Sequence, residues 1–102
     1  MAEVVNVPLR KLVDERRDEI KAIVARHRGR SVAVFGSVAR GDDGPQSDLD
    51  FLVEFEPGVR PFELLALGAD LEEALGVRVD VGTPSSLRPR IRDEVLAEAV
   101  PL

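Results

Sequence analysis

The sequence contains no cysteine, and none of its apolar runs approaches membrane-spanning length. Without cysteine, the chain forms neither a disulfide framework nor a thiolate metal site. Its first residues, MAEVVNVPLRK, lack the basic start and the continuous apolar core of a signal peptide. We therefore expect a cytoplasmic protein with no membrane association.

The chain also lacks an excess of positive charge: it has 14 lysines and arginines but 19 aspartates and glutamates, for a formal net charge of −5. A protein that grips a nucleic-acid backbone needs a basic surface, so we expect no direct nucleic-acid binding. Hydrophobic residues make up 44% of the chain and charged residues 32%, which is typical of globular proteins. A length of 102 residues suffices for one core, and we expect a single domain over residues 1–102.

Helical and strand patterns alternate along the chain. They predict helices at 9–28, 36–41 and 61–75, strands at 31–35, 48–56 and 77–81, and a final helix capped by Ser85 or Ser86. Gly29 and Gly76 are natural stops for the first and third helices. The strand at 31–35 shows no alternation, which predicts cover on both of its faces. This element order predicts an α+β fold, with α/β-type alternation, in which helices pack on a small mixed sheet.

The strand at 48–56 begins with two aspartates. Asp48 and Asp50 stand at i and i+2, so both carboxylates project from one face with Cα atoms roughly 6–7 Å apart. Such carboxylates repel one another unless a cation lies between them, and oxygen ligands suit Mg²⁺ or Mn²⁺. Taken alone, however, the pair is more typical of a solvated strand end.

A Gly-Ser turn follows the preceding strand. Gly36 lets the backbone turn sharply, and the N–H groups that open the next helix would face an anion, with Ser37 adding a hydroxyl. The alternative is an ordinary strand-to-helix turn with a serine cap. The turn is not a Walker-type loop, since no Gly-Lys-Ser/Thr follows.

The two motifs together resemble a known signature. Gly-Ser, about ten residues and then Asp-Leu-Asp, within FGSVARGDDGPQSDLDFLV, is similar to the signature of the DNA polymerase β-like nucleotidyltransferase superfamily. Within it, the stretch resembles the minimal nucleotidyltransferases, small bacterial and archaeal proteins commonly paired with a HEPN-domain partner. The resemblance implies the polymerase β-like nucleotidyltransferase fold.

The family pattern asks for a third carboxylate on a later strand. Asp80 fits, because it lies within the strand at 77–81 on the face opposite the valines. Glu54 is the rival, since it shares a face with Asp48 and Asp50 but lies near the far end of its strand. We favour Asp80 and interpret Glu54 as a solvated residue.

The resemblance implies two-metal nucleotidyl transfer from ATP. Asp48, Asp50 and Asp80 would be the catalytic, metal-binding residues for two Mg²⁺ ions, with Mn²⁺ as an alternative. The nucleotide phosphates would be bound by Gly36, Ser37, Arg40 and Ser47. Arg40 would either reach phosphate or pair with Asp42 or Asp43, and Ser47 would equally serve as a turn residue.

The resemblance further implies an antitoxin that transfers AMP to a tyrosine hydroxyl of a HEPN ribonuclease toxin. The chain contains no tyrosine, so a tyrosine acceptor must lie in another protein. Two alternatives stay open: a nucleotidyltransferase for a small molecule such as an aminoglycoside, and a non-catalytic antitoxin that acts by complex formation. Elsewhere, His27 suits a helix end, and Arg88, Arg90 and Arg92 suit a solvated helix face or a basic patch.

Overall fold

The computed structural model describes residues 9–41, 44 and 47–102. Its elements in chain order are α1 (Leu9–Glu15), α2 (Arg17–Arg26), β1 (Gly29–Phe35), α3 (Gly36–Arg40), β2 (Leu49–Phe55), α4 (Pro61–Leu75), β3 (Val79–Gly82), a 3₁₀ turn (Pro84–Ser86), α5 (Pro89–Glu98) and β4 (Val100–Pro101). None of the helices in these ranges has the length and apolarity needed to cross a membrane.

The four strands form one mixed sheet in the order β3-β2-β1-β4. β1 runs antiparallel to both of its neighbours, whereas β2 and β3 are parallel and are joined by the crossover helix α4. The predicted α+β class, with helices on a small mixed sheet, is therefore confirmed.

One face of the sheet carries the hydrophobic core. Leu49, Phe51 and Val53 are fully buried there, as the alternation of the β2 sequence predicts. They form one cluster with residues of α2 and α4, including Leu67 and Leu71. Burying each such side chain stabilises the fold by about 1.5–3 kcal/mol. The packed face thus gives β2 a rigid support, and its other face carries Asp50 and Glu54 on either side of the buried Leu52.

The first predicted helix is interrupted in the structure. Arg16 separates α1 from α2 at φ −110° and ψ 19°, and its guanidinium donates to the carbonyl of Ala74 and to Glu19. Gly29 does not end the helix as predicted: Arg28 adopts the left-handed conformation instead, at φ 67°. Gly29 begins β1, where a Cβ would collide with Val24. Packing rather than chain reversal therefore requires glycine at this position.

The remaining differences lie on β1 and at the end of the chain. β1 is fully covered only on the core face, since Ala33 and Phe35 are half-buried. Neither Ser85 nor Ser86 caps the last helix, because both lie in the 3₁₀ turn that Thr83 caps, and α5 starts at Pro89 without a side-chain cap. The sequence also did not predict β4, which is only two residues long and contains a proline.

Candidate active site

Asp50 and Asp80 lie side by side on neighbouring strands. The parallel register of β2 and β3 pairs these two residues directly, and adjacent strands are spaced by about 4.8 Å. The sequence placed Asp80 on a strand but did not fix the strand order. Parallel pairing through α4 therefore brings Asp80, the third predicted carboxylate, beside Asp50.

Asp50 is the most enclosed of the three aspartates. It pairs across the antiparallel ladder with Phe35, so the two side chains share a face of the sheet. The tip of the Phe35 ring lies 3.9 Å from where a Cβ on Gly82 would stand, so the ring crosses β2 next to Asp50. Burial, and then the negative charges of Asp80 and Asp48, raise the pKa of Asp50 to about 6, although Arg40 opposes the shift.

Asp48 precedes β2 and is paired with a residue that the sequence analysis did not consider. The Nε atom of Arg78 lies 3.4 Å from Oδ1 of Asp48, and both side chains face solvent. Leu49 pairs with Val79. The residues just before them, Asp48 and Arg78, are therefore also neighbours across the two strands. The carboxylate of Asp48 is therefore partly neutralised by the guanidinium of Arg78.

The Gly-Ser turn lies against the carboxylates. Gly36 has φ +76°, a left-handed conformation that favours glycine, and a Cβ there would collide with Oδ2 of Asp50. Ser37 follows in the first turn of α3, whose start carries no side-chain cap. The start of α3 thus lies beside Asp50, and phosphate binding by its N–H groups and by the Ser37 hydroxyl remains a prediction.

Arg40 and Ser47 both have neighbours in the structure. Arg40 Nη1 lies 3.3 Å from Oε1 of Glu98 on α5, and its charge also acts on Asp50. The alternative partners Asp42 and Asp43 lie outside the described residues. The Ser47 hydroxyl accepts a hydrogen bond from the Gly44 N–H at 2.8 Å, which matches its predicted turn role. Phosphate contacts by these two residues stay predictions.

Glu54 lies away from the cluster. It is exposed, and its carboxylate accepts a hydrogen bond from Ser31 Oγ at 3.2 Å. The β2–β3 pairing stops at Leu52, and Glu54 lies roughly 13 Å along the strand from Asp50. A cavity of about 490 Å³ opens at this far end, lined in part by Glu54 and by Arg92. The structure therefore groups Asp80, and not Glu54, with the Asp-Leu-Asp motif.

His27 joins two helices behind the sheet. It caps α2 at its C-terminal end, as predicted, but its Nδ1 and Nε2 atoms also lie 2.6 Å from carboxylate oxygens of Glu63 and Asp70 on α4. Burial by itself would lower the pKa of His27, but the hydrogen bonds and charges of Asp70 and Glu63 outweigh it and raise the pKa above 6.5. Periodicity along the chain does not predict this contact, because Glu63 and Asp70 lie 36 and 43 residues beyond His27.

The donor chemistry of the cluster suits a divalent cation. Three carboxylates share one face, and after burial the charges of Asp80 and Asp48 raise the pKa of Asp50, a repulsion that a cation would relieve. In the conformation seen here, residues 9–41, 44 and 47–102 contain no three Asp, Glu or His side chains already close enough to hold one ion. The set fits Mg²⁺ or Mn²⁺ by its oxygen ligands, and Asp48 would have to part from Arg78 to join it.

Comparison with known proteins identifies the family of the chain. A family model described as a nucleotidyltransferase domain matches residues 11–102. A curated relative named protein adenylyltransferase MntA, from Thermococcus cleftensis, is 37% identical over 91 residues, which cover 81% of this chain and 92% of the relative.

Solved structures share the fold. One that is provisionally named a minimal nucleotidyltransferase superposes with a TM-score of 0.82 at 45% identity, covering 91% of this chain and 95% of the other. Another is the Shewanella oneidensis complex of a tri-AMPylated HEPN toxin with an MNT antitoxin, with a TM-score of 0.66, 17% identity and coverage of 86% and 69%. At that identity the second likeness shows the fold alone.

Proposed function

This chain belongs to the nucleotidyltransferase domain family and is an adenylyltransferase, and we propose that it acts as an antitoxin that transfers AMP from ATP to a tyrosine of a HEPN-domain toxin. The observation that carries the reaction type is the register that sets Asp80 beside Asp50, with Gly36 against the same carboxylate. An MntA relative and a HEPN–MNT complex of the same fold support the partner.

In the proposed reaction, the tyrosine oxygen bonds to the α-phosphorus of ATP, the bond from that phosphorus to the bridging oxygen breaks, and pyrophosphate leaves. Asp48, Asp50 and Asp80 would hold two Mg²⁺ ions, which stabilise negative charge on the attacking and leaving oxygens when bound. The relatives' adenylyl chemistry requires an adenine nucleotide, and ATP is the donor that releases pyrophosphate.

The chain's own groups would divide the remaining work. Ser37 and the N–H groups at the start of α3 would orient the β- and γ-phosphates. Asp80 is exposed on the face of β3, where an incoming hydroxyl could reach it, and its carboxylate would accept the acceptor's proton. The Phe35 ring beside Asp50 would limit the access of water to the reacting phosphate.

The acceptor must come from another molecule if it is a tyrosine, because the chain has none. The net charge of −5 also argues against a nucleic-acid acceptor. A protein partner that brings its own tyrosine to the exposed carboxylates satisfies both constraints.

The test is a labelling reaction. The purified chain is incubated with Mg²⁺ and ATP labelled at the α-phosphate, with and without a HEPN-domain protein from the same genome. We expect label on a tyrosine of the partner, no label from γ-labelled ATP, and loss of labelling with Asp50→Asn but not with Glu54→Gln. A tight complex that never takes up label would instead identify an antitoxin acting by contact, and labelling of an aminoglycoside alone would identify a small-molecule enzyme.

A further inference from the structure

A backbone hydrogen bond next to the Asp48–Arg78 ion pair holds these two residues close together. The N–H of Leu49 donates to the carbonyl of Arg78 at 2.9 Å, which locks the starts of β2 and β3 together. On the same face, Asp50 pairs with Asp80, two residues beyond Asp48 and Arg78. Arg78 is therefore delivered to the carboxylate cluster by the same register that delivers Asp80.

The ion pair with Arg78 involves a carboxylate, that of Asp48, which the proposed reaction uses to bind a cation. A carboxylate oxygen that binds Mg²⁺ lies about 2.1 Å from the ion, and a guanidinium at the same oxygen would meet the ion's positive charge at close range. Arg78 Nε lies 3.4 Å from Oδ1 of Asp48. Arginine and cation therefore compete for Asp48.

We propose that Arg78 is a positioning residue that acts as the internal counter-ion of Asp48, holding this carboxylate in the cation-free protein and giving it up when a divalent cation binds. This inference rests on the proposed function to the extent that Asp48 is a cation ligand. The side chains of Arg78 and Asp48 are 74% and 48% exposed, so water screens the pair and the competition is weak enough for a cation to win.

The first test measures Mn²⁺ binding by calorimetry, with neither nucleotide nor partner present. Arg78→Gln removes the competitor and should tighten Mn²⁺ binding by about two- to fivefold, the factor that corresponds to an exposed ion pair. Arg78→Lys keeps a charge beside Asp48 and should bind Mn²⁺ as the unmodified chain does.

The matched control is Arg28→Gln. Arg28 is also an exposed arginine paired with a carboxylate, that of Glu56 at 3.8 Å, but it lies at the opposite end of β2. This variant loses the same charge and should leave Mn²⁺ affinity unchanged. Equal tightening by Arg28→Gln would show a general charge effect, and weaker binding by Arg78→Gln would show a structural role; either result overturns the proposal.

The second test follows Arg78 itself by ¹⁵N NMR of its Nε–H group during titration with Mg²⁺. We expect the resonance to move as the site saturates, toward the position that it holds without Mg²⁺ in Asp48→Asn. A resonance that does not respond to saturating Mg²⁺ overturns the proposal.

These outcomes separate the inference from the proposed function. A chain that binds no Mn²⁺ in the absence of nucleotide would overturn the inference, and the proposed function would fall with it only if AMP transfer were also absent. Mn²⁺ binding that Arg78→Gln does not tighten would overturn the inference alone. Tightening without any AMP transfer would support the counter-ion role and overturn the proposed function.

Discussion

Oδ2 of Asp50 occupies the space that a side chain on Gly36 would need. The glycine of the Gly-Ser turn and the second aspartate of the Asp-Leu-Asp motif are thus in contact, although they are separated along the chain by the loop before β2. The motif spacing seen in the sequence reflects one physical junction, where the end of β1 meets the start of β2.

This junction predicts the effect of Gly36→Ala. The substitution imposes a left-handed conformation on alanine, which costs about 1–2 kcal/mol, and it also pushes the Asp50 carboxylate aside. Gly76→Ala is the matched control, since Gly76 has φ +72° but no atom within 4 Å of an added Cβ. Both variants should lose similar stability in urea unfolding, but only Gly36→Ala should lose AMP transfer. Full activity of Gly36→Ala would contradict the proposed role of Asp50.

The two rival third carboxylates predict opposite results. Asp80→Asn should lower the rate of AMP transfer by about 100-fold or more, because it removes a proposed ligand and proton acceptor. Glu54→Gln should stay within about twofold, as Glu54 contacts Ser31 and not the cluster. Initial rates at saturating Mg²⁺ would decide between them, and the reverse order would move the site to the far end of β2.

His27 predicts a pH-dependent stability. Its pKa is raised above that of the unfolded chain, so its contribution is fully present below about pH 6.5 and is lost as pH rises through the folded-state pKa. At pH 6, His27→Gln should cost about 1.5–3 kcal/mol, the value of hydrogen bonds to charged groups. Urea unfolding of both proteins from pH 6 to 9 should show the difference shrinking with rising pH; a constant difference would show that protonation is irrelevant.

Two leucines of α4 provide a test of the core. Leu71 is fully buried, whereas Leu65 is 78% exposed on the same helix. Leu71→Ala should lower the free energy of unfolding by about 2–5 kcal/mol through the cavity it creates. Leu65→Ala should change it by less than about 0.5 kcal/mol. Thermal unfolding would check both, and a large loss from Leu65→Ala would mean that another surface covers it.

The sequence predicted the parts of the fold that depend on local pattern. Alternation in β2 and helical spacing in α4 predict the faces that the structure buries. The sharp turn predicted at Gly36 occurs there, with a left-handed backbone. Arg28, however, took the positive φ expected of Gly29, because Gly29 is needed where Val24 and Val53 leave no room for a Cβ. Such a requirement comes from packing between elements, which periodicity along the chain does not report.

In the candidate site too, some residues could be predicted from local sequence pattern and others could not. Asp48, Asp50 and Asp80 were chosen from spacing, face and family resemblance. The partners Arg78 and Glu98 were missed, because each reaches the site from an element far along the chain. Alternation along residues 77–81 puts Arg78 on the face of Asp80, but only the parallel register brings it to Asp48.

The crossover through α4 also fixes when during folding the site becomes complete. The connection between two parallel strands has to cross the sheet, so we expect Asp80 to reach Asp50 no earlier than α4 packs. A nascent chain that has not yet paired β3 carries the Asp-Leu-Asp motif without Asp80 beside it, so we expect it not to transfer AMP. Pulse-labelled hydrogen exchange should show amides of Val79–Gly82 protected no earlier than those of α4.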